Sequence, residues 1–189
     1  AAAASMKAFV TNRVGDFFMF LGILLVFVHT NTFRFADIFA KVDGGALNTI
    51  TIGGLPLLTV AAICLFGGAV GKSAQFPLHV WLPSAHANAP SHVSAIMSGV
   101  AIKMGIYGIV RFSGWLPMPE QAGWVVIGLG TTSALVGIAF AFAQNDFKRL
   151  LAYSTIAQLS YVVMAAAILK PLAEVGAAIH IVAHAFGKI

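Results

Sequence analysis

Apolar residues run along this chain in long blocks, separated by short polar clusters and by glycine or proline. Block A covers about Phe17 to His29, reaches back toward Lys7 and stops at Asn31-Thr32. Block B begins at Leu55 and stays apolar through Val70, C covers Val93 to Phe112, and D covers Trp124 to Ala143. E covers Leu150 to Leu169, and F starts near Leu172. Crossing ~30 Å of hydrocarbon takes about 20 apolar residues in a helix, so the pattern predicts roughly six transmembrane helices with short connections. Pro117 and Pro119 punctuate the C–D connection, and Pro171 separates E from F. Between A and B, Phe33, Phe35, Ile38 and Phe39 alternate with Arg34, Asp37 and Lys41 before Gly44-Gly45, the pattern of a short interfacial helix.

Block B does not end cleanly. After GGAVGKSAQ the apolar pattern resumes through Pro77 to Trp81 and Leu82. An uninterrupted helix from Leu55 to Leu82 would be ~42 Å long, with Lys72 ~26 Å along it. An interior proline frees a carbonyl and kinks a helix, which membranes tolerate where the backbone faces protein or water. The expectation is one helix broken near Lys72-Pro77, with a lysine beside the break, an arrangement that builds ion sites in transporters. The competing reading ends the helix early and lets Lys72 snorkel to the interface. His79, His86 and His92 flank Pro77, Pro83 and Pro90 and are expected to serve as hydrogen-bonded groups of the B–C loop.

Composition fixes the class. Of 189 residues, 59% are apolar and 9% charged, against about 25% charged in soluble domains, and the mean hydropathy is +0.91. The chain therefore reads as an all-α integral membrane protein, a polytopic helix bundle whose solvent is the lipid bilayer. The net charge of +5 reflects lysines and arginines near anionic lipid together with buried lysines, and no nucleic-acid partner is implied. Cys64 is the single cysteine, inside an apolar run, so no intrachain disulfide is available. Orientation is undecided by charge, since Lys7, Arg13, Lys148 and Arg149 face Arg34, Lys41, Arg111 and Lys170 across the six-helix arrangement. The sequence opens AAAASMKAFV and closes HAFGKI, so it reads as a piece of a longer chain, with 1–189 as a single membrane domain.

Charges in the middle of such blocks carry the functional signal. Lys103 sits near the centre of block C, where a charge costs at least ~2.5 kcal/mol and faces a wet cavity or a partner; the alternative is a structural ion pair. His180, His184 and Lys188 recur every four residues with only Ile, Val, Ala, Phe and Gly between them. Each step advances ~6 Å on one helical face, making a stripe ~12 Å long. Histidine exchanges protons near neutral pH, so the stripe suits proton transfer. Metal or haem chemistry is the rival reading: His-x-x-x-His can ligate zinc, but Ile181 stands where the zinc-protease pattern has Glu, and a haem would need His29 opposite. Arg13 and Asp16, three residues apart, predict a structural ion pair, and Asp146, Lys148 and Arg149 a solvated loop and helix start.

Taken together, AFVTNRVGDF, GGAVGKSAQFPLHVWLP, NAPSHVSAIMSGVAIKMGIYG, NDFKRLLAYSTIAQLSY and HIVAHAFGK resemble the antiporter-like subunits shared by respiratory complex I, formate hydrogenlyase-type membrane-bound hydrogenases and Mrp sodium/proton antiporters. The resemblance implies a fold of about fourteen helices with two inverted repeats, of which this chain covers the sixth to the start of the eleventh. It implies that Lys72 matches the pumping lysine of the first broken helix and Lys103 the lysine relaying protons to the centre. His180, His184 and Lys188 would match the central hydrophilic axis, and Arg13 and Asp16 an ion pair near the lysine's partner glutamate. That glutamate and the ionisable group of the second broken helix fall outside this sequence. The N-terminus and the B–C connection would face the cytoplasm. The implied function is proton translocation by a non-catalytic subunit of a redox-driven complex, alongside other membrane-arm subunits. The membrane would be a bacterial or archaeal inner membrane or an equivalent energy-coupling one. With no quinone, flavin, nucleotide or iron–sulfur motif, no cofactor is expected in this chain. The alternatives are Na⁺/H⁺ exchange in an Mrp-type assembly and, in another class, a haem-binding membrane anchor.

Overall fold

Residues Ala2–Thr30 contain no proline and form one helix, α1. It stops where Asn31 adopts a left-handed conformation, φ 51°, its N–H donating to Phe27 O at 2.7 Å. The computed structural model describes residues 1–45, 47, 49–113 and 120–188, with the side chains of 111–113 left aside. Pro117 and Pro119 lie outside the described residues.

The chain continues through α2 (Phe35–Asp43), β1 (Thr51–Ile52), β2 (Leu55–Pro56), α3 (Leu57–Lys72), α4 (Trp81–Asn88) and α5 (Ser91–Ile96). A π-helical turn, Met97–Ala101, joins α5 to α6 (Lys103–Ser113). Three long helices follow, α7 (Glu120–Phe142), α8 (Phe147–Ile168) and α9 (Pro171–Lys188). Four stretches are long and apolar enough to cross a membrane: Ala2–Thr30, Ser91–Val110, Glu120–Phe142 and Phe147–Ile168. The other two expected crossings take a different form. α3 has 16 residues, ~24 Å, before its break, and α9 has 18, ~27 Å, with Glu174 and Lys188 inside it. The chain is an integral membrane, polytopic helical protein.

Two features depart from the sequence reading. A hairpin of two-residue strands, pairing Thr51 with Pro56 and Ile52 with Leu55, interrupts an otherwise helical chain. Its turn is Gly53-Gly54, both at positive φ, as a two-residue hairpin loop requires, and it moves the start of block B from Leu55 to Leu57. The supposed B–C loop is largely helical. Pro83 is the third residue of α4, where its missing N–H costs no helical bond. His86 is consequently a buried helix residue rather than a loop residue, with Nδ1 2.5 Å from Ser94 Oγ. His79 is buried in the break, and His92 lies in the first turn of α5.

α8 is the central helix. Ala152, Ile156, Leu159, Val162 and Val163 are buried against a core that also takes Val70, Ala74, Leu82, Ile102 and Ile106. Asp146 starts it by accepting hydrogen bonds from the N–H groups of Lys148, at 2.8 Å, and Arg149, at 3.2 Å. Lys148 Nζ in turn donates to Ala89 O at the end of α4, at 2.8 Å. A second, smaller core joins α1, α2 and α3 through Val26, Ile38, Val42, Leu57 and Leu58. Here Lys41 donates to Thr30 O, tying the amphipathic α2 to the end of α1.

Candidate functional site

The helix break is built from polar groups that replace the lost helical bonds. α3 ends at Lys72, and helix resumes only at Trp81. Ala74 turns the chain at φ 52°, and the Phe76–Pro77 peptide is cis. Buried backbone groups must find partners, and here neighbouring helices supply them. Phe76 N–H donates to Ser133 Oγ of α7 at 2.8 Å, and Trp81 Nε1 donates to Gly71 O at 3.1 Å. Gln75 is buried; its Nε2 donates to Ser73 O at 3.2 Å, and its Oε1 accepts from Ser160 Oγ of α8 at 2.7 Å. Sequence reasoning placed the break but missed Gln75, Ser133 and Ser160, whose only signal was a polar residue beside Pro77 and single serines within apolar blocks.

Lys72 stands at the edge of this break and finds its acid within the chain. Its Nζ lies 3.0 Å from Asp16 Oδ1, while Asp16 Oδ2 accepts from Arg13 Nη1 at 3.1 Å. The expected Arg13–Asp16 pair is present, and it extends to Lys72. α1 and α3 approach closely at this point. A Cβ placed on either Gly15 or Gly71 would lie 3.0 Å from the Cα of the other. Asp16 and Lys72 are the next residues along each chain, so the glycine contact brings the two charges to one level.

Lys103 is buried, 6% exposed, and has no acid partner among the described residues. Its Nζ donates to Ser98 O at 3.2 Å and Gly99 O at 3.1 Å, both carbonyls of the π turn. The wide turn pairs Ile102 N–H with Met97 O at 3.2 Å, five residues back, and leaves neighbouring carbonyls for the ammonium. Periodicity gave no sign of this turn.

α9 presents its stripe to the same region. The rings of His180 and His184 stack at 6.1 Å between centroids. His184 is 8% exposed, and neither of its ring nitrogens has a hydrogen-bond partner among the described residues. Lys188 Nζ donates to Leu151 O and to Ser154 Oγ on α8, each at 3.3 Å. α9 packs against the π turn and α6, so Lys103 and the stripe of His180, His184 and Lys188 lie in one region, whereas Lys72 pairs separately with Asp16. Among the described residues no three His, Cys, Asp or Glu side chains cluster as a metal site requires. His29, the residue suited to face a haem, is exposed at the end of α1 with Nδ1 2.8 Å from Leu25 O.

The site thus holds a buried lysine, a stacked histidine pair and, at the broken helix, a second lysine paired with Asp16. The family model described as the transmembrane region of NADH:quinone oxidoreductase and Mrp antiporters matches residues 1–189. The chain belongs to that family. Among NADH:quinone oxidoreductase/Mrp antiporter relatives, the chloroplastic NAD(P)H-quinone oxidoreductase subunit 5 of Draba nemorosa is 40% identical over 191 residues, covering 100% of this chain and 24% of the relative. Its counterpart in Zea mays is 42% identical over 192 residues, covering 100% and 25%. The chain thus spans about a quarter of the length of these curated relatives. The solved Mrp complex of a Dietzia species contains a chain with a TM-score of 0.88 and 33% identity, matched over 98% of this chain and 20% of its own length. The membrane-bound sulfane sulfur reductase, an archaeal respiratory membrane complex, matches with a TM-score of 0.84 and 27% identity, over 100% of this chain and 32% of its own.

Proposed function

We propose that this chain is the middle part of a proton-translocating subunit in a multisubunit, redox-driven membrane complex. The supporting observation is that Lys103 and His184 are buried in an apolar bundle, with the half-buried His180 and Lys188 on the helix of His184 and no carboxylate paired with any of them among the described residues. Basic groups at this depth are costly unless they face water, backbone carbonyls or one another. Lys72, gripped by Asp16 at the helix break, is the second proton-accepting site; Arg13 positions Asp16. His180 and His184, with water, carry protons between the half-channels, and partner subunits supply the redox energy. The setting is an energy-coupling membrane, either a bacterial or archaeal cytoplasmic membrane or an equivalent such as the chloroplast membrane of the relatives. The single-domain reading of 1–189 belongs to this proposal.

The test is proton pumping by the complete parent complex in proteoliposomes, with Lys103→Ala and Lys72→Ala beside wild type. Electron transfer should persist or slow while protons moved per electron fall by at least half. Normal pumping in both variants would make the lysines structural and sink the proposal. The likeness to the Mrp complex supports a second reading, Na⁺/H⁺ exchange. Proton movement that requires Na⁺ on the opposite side, without a redox substrate, would favour it.

A further inference from the structure

α6 carries Lys103, and two residues later it carries Gly105. A Cβ built on Gly105 would meet Ala69 O at 2.6 Å, Lys72 Cβ at 3.1 Å and Ser73 N at 3.1 Å. Those three atoms belong to the last turn of α3, where the helix breaks. Ala69 O accepts from both Ser73 N–H, at 2.8 Å, and Ser73 Oγ, at 2.5 Å, so this carbonyl is already committed and has no room to retreat. On its other side the same turn is backed by Gly15, where an added Cβ would lie 3.0 Å from Gly71 Cα, and Gly71 O is held by Trp81 Nε1. Gly108, one turn further along α6, differs: a Cβ there meets nothing within 4 Å. The need for glycine is therefore local to the level of Lys72.

We propose that Gly105 is a positioning residue that seats the Lys103 helix directly on the backbone turn carrying Lys72, so that the two lysines move as one mechanical unit. The inference rests on the proton-translocation reading above and adds to it a physical link between the two sites. Any displacement of the break reaches Lys103 through two residues of helix, with no flexible side chain between. An alanine at 105 forces backbone apart from backbone, since the partner at 2.6 Å, Ala69 O, is a backbone atom and not the end of a flexible side chain. Its effect should therefore fall on the relation between the lysines, and the outward face of α6 should not feel it.

The experiment uses the full parent complex in proteoliposomes and compares Gly105→Ala, Gly108→Ala, Lys72→Ala and the double variant Gly105→Ala/Lys72→Ala. Gly108→Ala should match wild type in assembly, turnover and protons per electron. Gly105→Ala should assemble and turn over, with protons per electron reduced at least twofold. The double variant should lose no more than Lys72→Ala alone, because both changes act on one unit. If Gly105→Ala behaves like Gly108→Ala, or if its loss multiplies with that of Lys72→Ala, the inference is overturned while the proton reading stands. Normal pumping in Lys72→Ala overturns both. Should Gly105→Ala fail to accumulate, Gly15→Ala loads the same turn from the opposite side with a milder 3.0 Å contact. It should give the same signature, and normal pumping there would equally refute the link.

Discussion

Asp16 shows how one side chain can organise a site that looked like two. Its carboxylate takes Arg13 on one oxygen and Lys72 on the other. Replacing it with Asn keeps the shape and removes the charge between two cations. With Lys72 at 43% side-chain exposure, the pair is worth about 1 kcal/mol, or roughly fivefold in rate. We expect Asp16→Asn to slow proton uptake by vesicles about that much, with Asp16→Glu recovering part of it; an unchanged rate would reduce Asp16 to a packing residue. The Arg13–Asp16 half of the site was legible, because three residues place side chains together on a helix. The Lys72 half was not, since meeting across two helices depends on their depth and rotation. Its one trace in the sequence is that Asp16 and Lys72 each follow a glycine, which acquires meaning only once the helices are packed. The stripe of His180, His184 and Lys188 was legible for the same reason as the Arg13 pair, whereas its grouping with Lys103 on another helix was not.

Among the elements, the interrupted helix tests how the fold tolerates irregular backbone. Pro77 and the small residues before it announced a break, yet its width from Ser73 to Val80 could not be read from them. That width depends on partners contributed by α7 and α8. Removing one leaves a buried backbone group unpaired, a loss of about 1–3 kcal/mol. Ser133→Ala, which orphans Phe76 N–H, should therefore lower the apparent melting temperature of the detergent-solubilised complex. Gln75→Leu should do likewise, exposing Ser73 O within the core. A melting temperature equal to wild type in both would mean that water replaces these bonds and that the break is wetter than its burial suggests. The π turn was illegible for a related reason. SHVSAIMSGVAIK contains no proline inside the turn, and its apolar spacing suits a regular helix equally well.

At the scale of the molecule, packing is graded outward from α8. This helix carries the largest share of fully buried apolar residues among those described, while α2 joins the smaller core beside α1 and the Gly53-Gly54 hairpin only flanks it, between Ile50 and Leu57. Stability within a fold follows such gradients. Hydrogen exchange on the intact complex should find the α8 amides around Leu159 slowest and those of α2 and the hairpin much faster. Faster exchange in α8 than in α2 would contradict this arrangement. The membrane class, the order of the helices and the family were all readable from hydropathy and motif order. What sequence could not supply was which helix stands in the middle, because block D is the more apolar of D and E while E is the more buried, so hydropathy points the wrong way and only mutual packing decides.

The way Lys103 is held has a consequence for how it could exchange a proton. Its ammonium is gripped by two carbonyl oxygens, which only accept hydrogen bonds. An ammonium has three N–H donors, and a neutral amine keeps two of them and gains a lone pair. Two donors still satisfy two carbonyls, so giving up a proton leaves the side chain moored in place with its lone pair open to the next arrival. Lys72 is moored by charge as well, and the same loss would leave it a hydrogen bond to Asp16 without the ionic attraction. Under the proposed proton translocation, one lysine would be filled and emptied without stirring, while the other's hold would slacken each time it was emptied.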